Sequence, residues 1–330
     1  MRILFIGGTS FVGRYAAQAA IDAGHDVTLF HRGITGSNLF PEATHLIGDR
    51  DADLSGLAGD SWDATIDVTA YYPRQVRLLA EALGGRGGRH VYISSVSAYA
   101  ADLPWGYDES AELTEVTDPD AEVWNPQNYG GLKVACERLA ADLHGPDITI
   151  IRPAYVIGPY DHTRRFTWWV DRIAQGGQVL APGQPVDPIQ LIDARDMGRW
   201  MVSLLERSLA GTFHAVDPAP PFGWGDMLEA IAATVAPPRT ELVWVPSDVL
   251  RAEGFDGIVV PLWGEGDTSS PNRFTASPSA ACATGLHPRS LAQTIADIQA
   301  EDHDPFSWPP GVGIPAEREA EVLAHWAQSR

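Results

Sequence analysis

The chain of 330 residues is long enough for about two domains, and 45% hydrophobic with 20% charged residues is the composition of a packed globular protein. Aspartate and glutamate number 43 against 23 lysines and arginines, which gives a formal net charge of -20. Such a surface repels nucleic-acid phosphates, so we expect a small-molecule substrate and no nucleic-acid partner. No apolar run approaches the roughly 20 residues that span a bilayer, so no membrane partner is expected.

Cysteine and histidine are sparse and widely spaced. Cys136 and Cys282 lie far apart, which argues against a disulfide scaffold or a cysteine-based zinc site. We interpret them as two buried thiols of a cytoplasmic protein. None of the ten histidines stands in a metal spacing such as His-Glu-x-x-His, so no metal is predicted. The assembly state is left open, with a homodimer as one option.

Short apolar runs alternate with helix-like stretches up to about residue 150. The runs are Ile3–Ile6, Val27–Phe30, Ala64–Val68, His90–Ser94 and Ile148–Arg152. Strands separated by helices indicate βαβ units, so we predict an α/β fold with a doubly wound parallel sheet (Rossmann). Most prolines and tryptophans follow this half of the chain, which favours a smaller, interleaved C-terminal substrate lobe.

The predicted boundaries are residues 1–158 for a dinucleotide-binding domain and residues 159–330 for the main part of the substrate lobe. The segment Gln190–Asp196 looks like another strand that enters a helix. We therefore expect the chain to return to the first domain at about residues 189–216.

The N-terminal segment has the pattern of a strand, a tight glycine turn and a helix. The predicted helix runs over Phe11–Ala23 and ends at Gly24. Glycines let backbone amides approach a pyrophosphate, and the helix N-terminus adds free N–H groups and a positive dipole. The predicted dinucleotide-binding residues of this turn are Gly7, Gly8, Thr9, Ser10, Phe11, Val12 and Gly13.

The residues after the second predicted strand indicate which dinucleotide binds. His31 and Arg32 stand there, without the acidic residue that holds the ribose hydroxyls in NAD sites. Arg32 can pair with the 2′-phosphate of NADP and His31 can assist, so NADP is predicted, with NAD as the alternative. Asp49 and Arg50 follow a third short strand and are placed at the adenine edge.

A tyrosine and a lysine four residues apart form a second candidate site. Asn125 is expected to cap a helix with Pro126 at its first position, so that Tyr129 and Lys133 project from one face. A free tyrosine has a pKa of about 10, and a nearby cation brings the phenol towards the range needed for proton transfer. In isolation such a pair is usually structural, so the site needs further residues.

A hydroxyl-rich turn follows the strand that ends near Ser94. Ligands of open parallel sheets bind at the carboxyl ends of strands, so Ser95 is placed to orient a substrate oxygen while Tyr129 moves the proton. The alternative is a serine that satisfies local backbone groups. The remaining candidate cofactor residues are Thr69, Ala70, Ser94 and Pro153, together with Tyr129 and Lys133.

The glycine turn, the serine turn and the Tyr–Lys helix, in this order and spacing, resemble the extended short-chain dehydrogenase/reductase family of the NAD-dependent epimerase/dehydratase type. The resemblance implies that Ser95 matches the catalytic serine or threonine, Tyr129 the acid/base and Lys133 the ribose-binding activator. It also implies a nicotinamide cofactor and hydride transfer at a carbinol or ketone carbon, often in a nucleotide sugar.

Two departures from the family pattern refine this resemblance. Ser10 replaces the usual middle glycine, and with the residues after Phe30 the turn looks more like the reductase-like branch that includes the chloroplast stem-loop-binding proteins, some of which bind RNA. Val96-Ser97 stands where the family's sugar dehydratases carry Asp-Glu, so the chain is a poor dehydratase candidate.

The predicted function is an NAD(P)-dependent oxidoreductase that transfers hydride between nicotinamide and a carbonyl or secondary alcohol. One alternative is a nucleotide-sugar epimerase that retains its cofactor. The other is a non-catalytic member of the fold that binds cofactor or RNA.

Substrate contacts are expected after Arg152–Pro159, which looks like the strand and turn that follow the Tyr–Lys helix in the family. The candidates are Ser95, Tyr155, Arg164, Arg165 and Trp168. Adjacent arginines can pair with a diphosphate or carboxylate, and a tryptophan can stack on a ring. An equally good interpretation is a helix with one exposed and one buried face.

Overall fold

The computed structural model describes residues 1–257, 259–264, 270–301, 303 and 309–329. The strands within these residues are β1 (Arg2–Ile6), β2 (Asp26–His31), β3 (Thr44–Ile47), β4 (Ala64–Asp67), β5 (Arg89–Ile93), β6 (Thr149–Pro153), β7 (Tyr155–Ile157), β8 (Gln178–Pro182), β9 (Leu191–Asp193), β10 (Gly211–Ala215) and β11 (Glu241–Val245). The α-helices are α1 (Phe11–Asp22), α2 (Pro73–Leu83), α3 (Tyr129–His144), α4 (Arg165–Ala174), α5 (Ala194–Glu206), α6 (Trp224–Val235), α7 (Ser247–Ala252), α8 (Ser279–Ala283), α9 (Leu291–Gln299) and α10 (Ala316–Gln328).

Seven strands form one parallel sheet in the order β3-β2-β1-β4-β5-β6-β10. The chain starts in the middle of this sheet, runs to the β3 edge, and then returns to add β4 on the other side of β1. The strand order therefore reverses between β1 and β4, which is the point where ligands bind in doubly wound sheets. This arrangement confirms the predicted α/β fold.

Both faces of the sheet are covered, and β1 illustrates why. Ile3 and Phe5 pack into the hydrophobic cluster shared with α1 and α5, whereas Leu4 and Ile6 belong to the cluster on the α2 face. Successive side chains of a strand point to opposite faces, so a strand buried on both sides must be continuously apolar. This is the pattern of the β1 sequence.

A second core lies beyond the sheet, between α4, α6, α9 and the small parallel pair β8–β11. It contains Trp168, Trp169 and Trp224. The chain enters this region after β7 and returns through β9, which pairs with β7 outside the main sheet. It is β10, after α5, that rejoins the main sheet beside β6.

The cysteines are both free, with Cys136 buried and Cys282 exposed. The expectation of two buried thiols is therefore wrong for Cys282. Among the helices of the described residues, none combines the length and apolar character needed to cross a membrane. In the described part of the chain, no group of three or more histidine, cysteine or acidic side chains is arranged to hold a metal ion.

Candidate functional site

The glycine turn joins β1 to α1 at the point where the strand order reverses. Gly7 and Gly8 have φ values of +107° and +98°, which side chains rarely tolerate. A Cβ atom on Gly13 would lie 2.7 Å from the amide nitrogen of Gly8, so helix and turn touch through their backbones. The first turn of α1 carries no acidic residue. The turn and the helix N-terminus can therefore hold a pyrophosphate.

Ser10 is the N-terminal cap of α1, with an extended backbone of φ -137° and ψ 140°. Its position needs no left-handed conformation, so a serine fits where the family usually has glycine. Phe11 takes the positive φ instead, at 36°, and is buried, as is Thr9. Val12 is half-buried beside them.

His31 and Arg32 follow β2 but face different surroundings. His31 is buried; its Nδ1 accepts a hydrogen bond from the Gly33 amide at 3.0 Å, and its Nε2 lies 2.8 Å from Nδ1 of His45. Burial and the neighbouring His45 lower the pKa of His31. Both ring nitrogens are thus engaged within the protein, and the predicted assistance to a phosphate is not supported. Arg32 is exposed and has no ion-pair partner among the described residues.

Arg50 does not line the adenine edge as predicted. Its side chain is buried and forms a bidentate ion pair with Asp67 at the end of β4, with distances of 2.7 and 2.9 Å. Nη1 also donates to Thr69 Oγ1 at 2.6 Å. A guanidinium held in this way supports the sheet edge and is not available to a nucleotide. Asp49, half-buried, accepts a hydrogen bond from the Asp51 amide at 2.9 Å.

Lys133 links α3 to the carboxyl ends of two central strands. Its Nζ donates to the carbonyl of Ala70 at 2.8 Å and to that of Ile93 at 3.0 Å. Burial lowers the pKa of this ammonium. Ser94 is buried beside it with an Oγ that has no hydrogen-bond partner, and Pro153 is buried at the end of β6. These residues lie together at one edge of the sheet.

Tyr129 is the first residue of α3, and Asn128 is its N-terminal cap. The Asn125 side chain accepts hydrogen bonds from the amides of Gln127 and Asn128, as predicted for a cap, and the Asn125 carbonyl accepts one from the Tyr129 amide at 3.0 Å. The regular helix nevertheless begins at Tyr129, three residues after the predicted start at Pro126. The Lys133 ammonium lies 5.9 Å from the centre of the Tyr129 ring. The structure therefore brings the tyrosine and the lysine together.

Ser95 lies close enough to the Tyr129 phenol to affect its pKa. Burial raises the pKa of Tyr129, while the Ser95 side chain and the charge of Arg165 lower it in part. Ser95 also accepts a hydrogen bond from the Ser97 amide at 3.1 Å, which fixes the serine turn. A serine hydroxyl beside the phenol can orient an oxygen that reacts there.

Sequence reasoning missed an aromatic wall around Tyr129. Tyr71 and Trp124 stack with ring centres 6.4 Å apart, and both rings contact Tyr129 at 6.2 and 5.8 Å. Tyr71 is 41% exposed and Trp124 49% exposed, so the wall is open to solvent. Tyr71 stands four residues after the end of β4, and that position was the available signal. Nothing in the sequence marks Trp124.

The substrate candidates divide into two groups. Tyr155 stacks on Phe274 at 4.7 Å, and the Arg165 guanidinium lies 5.4 Å from the centre of the Tyr155 ring. The charge of Arg165 also acts on Tyr129, so Arg165 lies within electrostatic range of the phenol.

Arg164 and Trp168 do not reach this region as predicted. Arg164 pairs with Asp171 at 3.5 Å. Trp168 is only 3% exposed and packs edge-to-face on Trp169 in the second core. The buried-face interpretation of α4 therefore holds for Trp168, because the second core needs its apolar surface.

Comparison with known proteins identifies the family. Residues 3–215 match the model of the NAD dependent epimerase/dehydratase family, which covers more than half of the chain. The chain belongs to this family. The matched region contains the glycine turn, Ser95, Tyr129 and Lys133.

One curated family relative is the chloroplast stem-loop binding protein of 41 kDa b from Arabidopsis thaliana. It is 26% identical over 220 residues, which are 62% of this chain and 55% of the relative. The chain thus spans about half the length of the curated relative that it matches.

Solved structures of family epimerases share the fold. The UDP-N-acetylglucosamine 4-epimerase of Bacillus cereus is 17% identical, with a TM-score of 0.67 over 94% of this chain and 100% of that chain. The UDP-glucuronic acid 4-epimerase of the same organism, solved with NAD, is 17% identical with a TM-score of 0.66, over 91% of this chain and 97% of that chain. A human epimerase family protein solved with NADPH is 19% identical with a TM-score of 0.63, over 91% of this chain and 100% of that chain.

Proposed function

We propose that the chain is an NADP-dependent oxidoreductase that interconverts a carbonyl compound and a secondary alcohol. The observation that carries the proposal is the convergence of Ser95, Tyr129 and Lys133 at the sheet edge beside the glycine turn. A cytoplasmic location, a small-molecule substrate and a homodimer remain predictions.

The chain fits a dinucleotide at the carboxyl ends of β1 and β4. A Cβ on Gly13 would meet the Gly8 amide, so the cradle requires glycine, and the N-terminus of α1 faces the same crevice. The glycine turn would hold the pyrophosphate and Arg32 the 2′-phosphate. When bound, the nicotinamide supplies or accepts the hydride.

Tyr129 is suited to donate the proton in the direction of reduction. Burial raises the pKa of the phenol, so it remains protonated at neutral pH and can transfer its proton to a carbonyl oxygen. Ser95, beside the phenol, orients that oxygen. In the direction of oxidation the phenol must first lose its proton, so we expect that rate to rise with pH.

Lys133 is placed to bind the cofactor ribose and to act on the charge of Tyr129. Two of its N–H groups are used by the carbonyls of Ala70 and Ile93, which leaves one N–H for the cofactor ribose. Its buried charge favours a phenolate at Tyr129 in the direction of oxidation.

Substitution of Tyr129 tests the proposal. A panel of aldehydes and ketones is screened with NADPH, and kcat/KM is then measured for Tyr129→Phe on the best substrate. We expect a loss of about 100-fold or more, with unchanged NADPH affinity. Tyr72→Phe is the matched control. It removes a neighbouring tyrosine hydroxyl that accepts a hydrogen bond from the Trp124 amide, at 3.3 Å, and that has no role in the proposed proton transfer. Turnover by Tyr129→Phe near the wild-type value would exclude the mechanism.

An epimerase with a retained cofactor is the second candidate, favoured by the structural likeness to UDP-sugar 4-epimerases. Nicotinamide that stays bound through purification, together with interconversion of UDP-sugars and no net NADPH consumption, would support it. RNA binding, which the name of the Arabidopsis relative suggests, is disfavoured by the net charge of -20. Titration with a structured RNA at physiological salt checks this point.

A further inference from the structure

Arg165 is a half-buried cation without a carboxylate partner among the described residues. Several other shielded arginines of this acidic chain are neutralised at close range. Their pairs are Arg50–Asp67, Arg152–Glu137, Arg172–Glu319, Arg195–Asp193 and Arg289–Asp196. Since an unpaired charge is costly when water is excluded, the position of Arg165 calls for an explanation.

The side chain is held in place by neutral groups. Nε donates to Thr163 Oγ1 at 3.3 Å, and the guanidinium contacts the Tyr155 ring, which is itself stacked on Phe274. Asp161 is the acid whose charge Arg165 affects, but its buried carboxylate is hydrogen-bonded by the Thr163 amide and hydroxyl. Both Nη atoms of Arg165 therefore keep donors with no partner among the described residues.

The Tyr155 ring that Arg165 contacts stands two residues past the carboxyl end of β6, and β6 pairs with β5, the strand that leads into Ser95. Arg165 therefore lies at the same end of the sheet as the serine turn, and its charge also lowers the pKa of Tyr129. A guanidinium presents a planar fork of donors that matches a carboxylate or phosphate. Because its stem is already fixed by Thr163 and Tyr155, little conformational freedom is lost when an anion binds.

We propose that Arg165 binds a carboxylate or phosphate of the substrate, so that the reacting carbonyl compound or alcohol is an anion. This inference rests on the proposed function for the reaction, but the anion site itself can be tested without turnover. The sequence analysis predicted that Arg164 and Arg165 together pair with a diphosphate or carboxylate, and we assign that role to Arg165 alone.

The binding test uses the 330-residue chain saturated with NADP. Benzoate, phenyl phosphate and neutral benzamide are titrated by calorimetry. We expect at least one anion to bind about tenfold or more tightly than benzamide, and the better anion identifies the group. Arg165→Gln should abolish the difference and Arg165→Lys should retain part of it. Arg138→Gln, at an exposed position of α3, should leave it unchanged.

Equal binding of the three probes, or an anion preference that survives in Arg165→Gln, would overturn the inference. A measurement on the wild type guards against misfolding of the variants. Phenylglyoxal labelling of Arg165, read by mass spectrometry, should slow in the presence of the better anion, and unchanged labelling would count against the site.

Turnover separates the two proposals. Arg165→Gln should lower kcat/KM for para-carboxybenzaldehyde about tenfold more than for benzaldehyde. If Tyr129→Phe retains activity while Arg165→Gln loses the anion preference, the mechanism fails and the anion site stands. If instead Tyr129→Phe loses activity and Arg165→Gln keeps the anion preference, the anion site is wrong and the proposed mechanism stands.

Discussion

Arg50 and Asp67 face each other as a bidentate ion pair under the crevice, with Nη1–Oδ1 and Nη2–Oδ2 distances of 2.7 and 2.9 Å. Burial raises the pKa of Asp67, but the charge and hydrogen bonds of Arg50 outweigh it and leave the pKa lowered. The same carboxylate accepts a hydrogen bond from the Thr69 amide at 3.0 Å. The pair therefore fixes the turn that leads from β4 into the site.

Asp67→Asn should destabilise the protein strongly, because it leaves the Arg50 charge buried and unpaired. We expect the free energy of unfolding to fall by about 3–5 kcal/mol in urea titrations. Asp60→Asn removes an exposed partner of Arg2 and should cost less than about 1 kcal/mol. Similar losses in both variants would mean that the buried pair contributes no more than a surface one.

Gly13→Ala should weaken cofactor binding although alanine is the better helix former. The gain in helix propensity is about 1 kcal/mol, but the new Cβ would lie 2.7 Å from a backbone nitrogen that cannot move without displacing the turn. We expect NADPH affinity to fall by about tenfold or more in fluorescence titrations. Gly56→Ala, where the nearest atom is 3.9 Å away, should bind normally.

Arg32→Ala should weaken NADP binding far more than NAD binding. A charge-assisted contact to the 2′-phosphate contributes on the order of 1.5–3 kcal/mol, which corresponds to about a tenfold to hundredfold preference. The dissociation constants of both cofactors are compared, with Arg138→Ala as a surface control. If wild type binds both cofactors equally and Arg32→Ala changes neither, Arg32 is only a surface charge.

His90 should make the protein sensitive to acid. Burial, and next the stacked His144 ring at 3.4 Å, lower the pKa of His90 to about 3. Unfolded histidine takes up its proton below pH about 6.5, so stability is present above that pH and is lost as the pH falls towards 3.

The variant His90→Phe removes this linkage. Between pH about 7 and about 5, wild type should lose about 2 kcal/mol more unfolding free energy than the variant. His287→Phe, at an exposed position, should behave like wild type. Parallel pH profiles for wild type and His90→Phe would show that another group controls acid unfolding.

The sheet could be predicted closely because its strands are locally encoded. The apolar runs of β1, β2 and β4 are bounded by glycine or polar residues, so the predicted ends fall within one residue of the observed ones. The regular part of α3 begins three residues after the predicted start, because the turn that follows Asn125 is held by reciprocal side-chain hydrogen bonds between Asn125 and Asn128.

The site could be predicted where spacing along one element fixes the geometry, as it does for Tyr129 and Lys133. It could not be predicted where a partner is distant in sequence. Arg50 forms its ion pair with Asp67, which is 17 residues away in the sequence. Trp168 is buried in a core many of whose other residues come from much later in the chain. Charge and aromatic character mark a residue as a candidate, but only tertiary packing determines which residues remain available.

The paired strands β7 and β9 have a consequence for recombination between family members. The chain passes through α4 and β8 between these strands, returns to the main sheet at β10, and only then supplies α6 to the same core. A single crossover would combine half of that core from each parent and leave mismatched tryptophans at the junction. Chimeras would need both stretches exchanged together, so new specificity is reached more easily by point substitution than by module transfer.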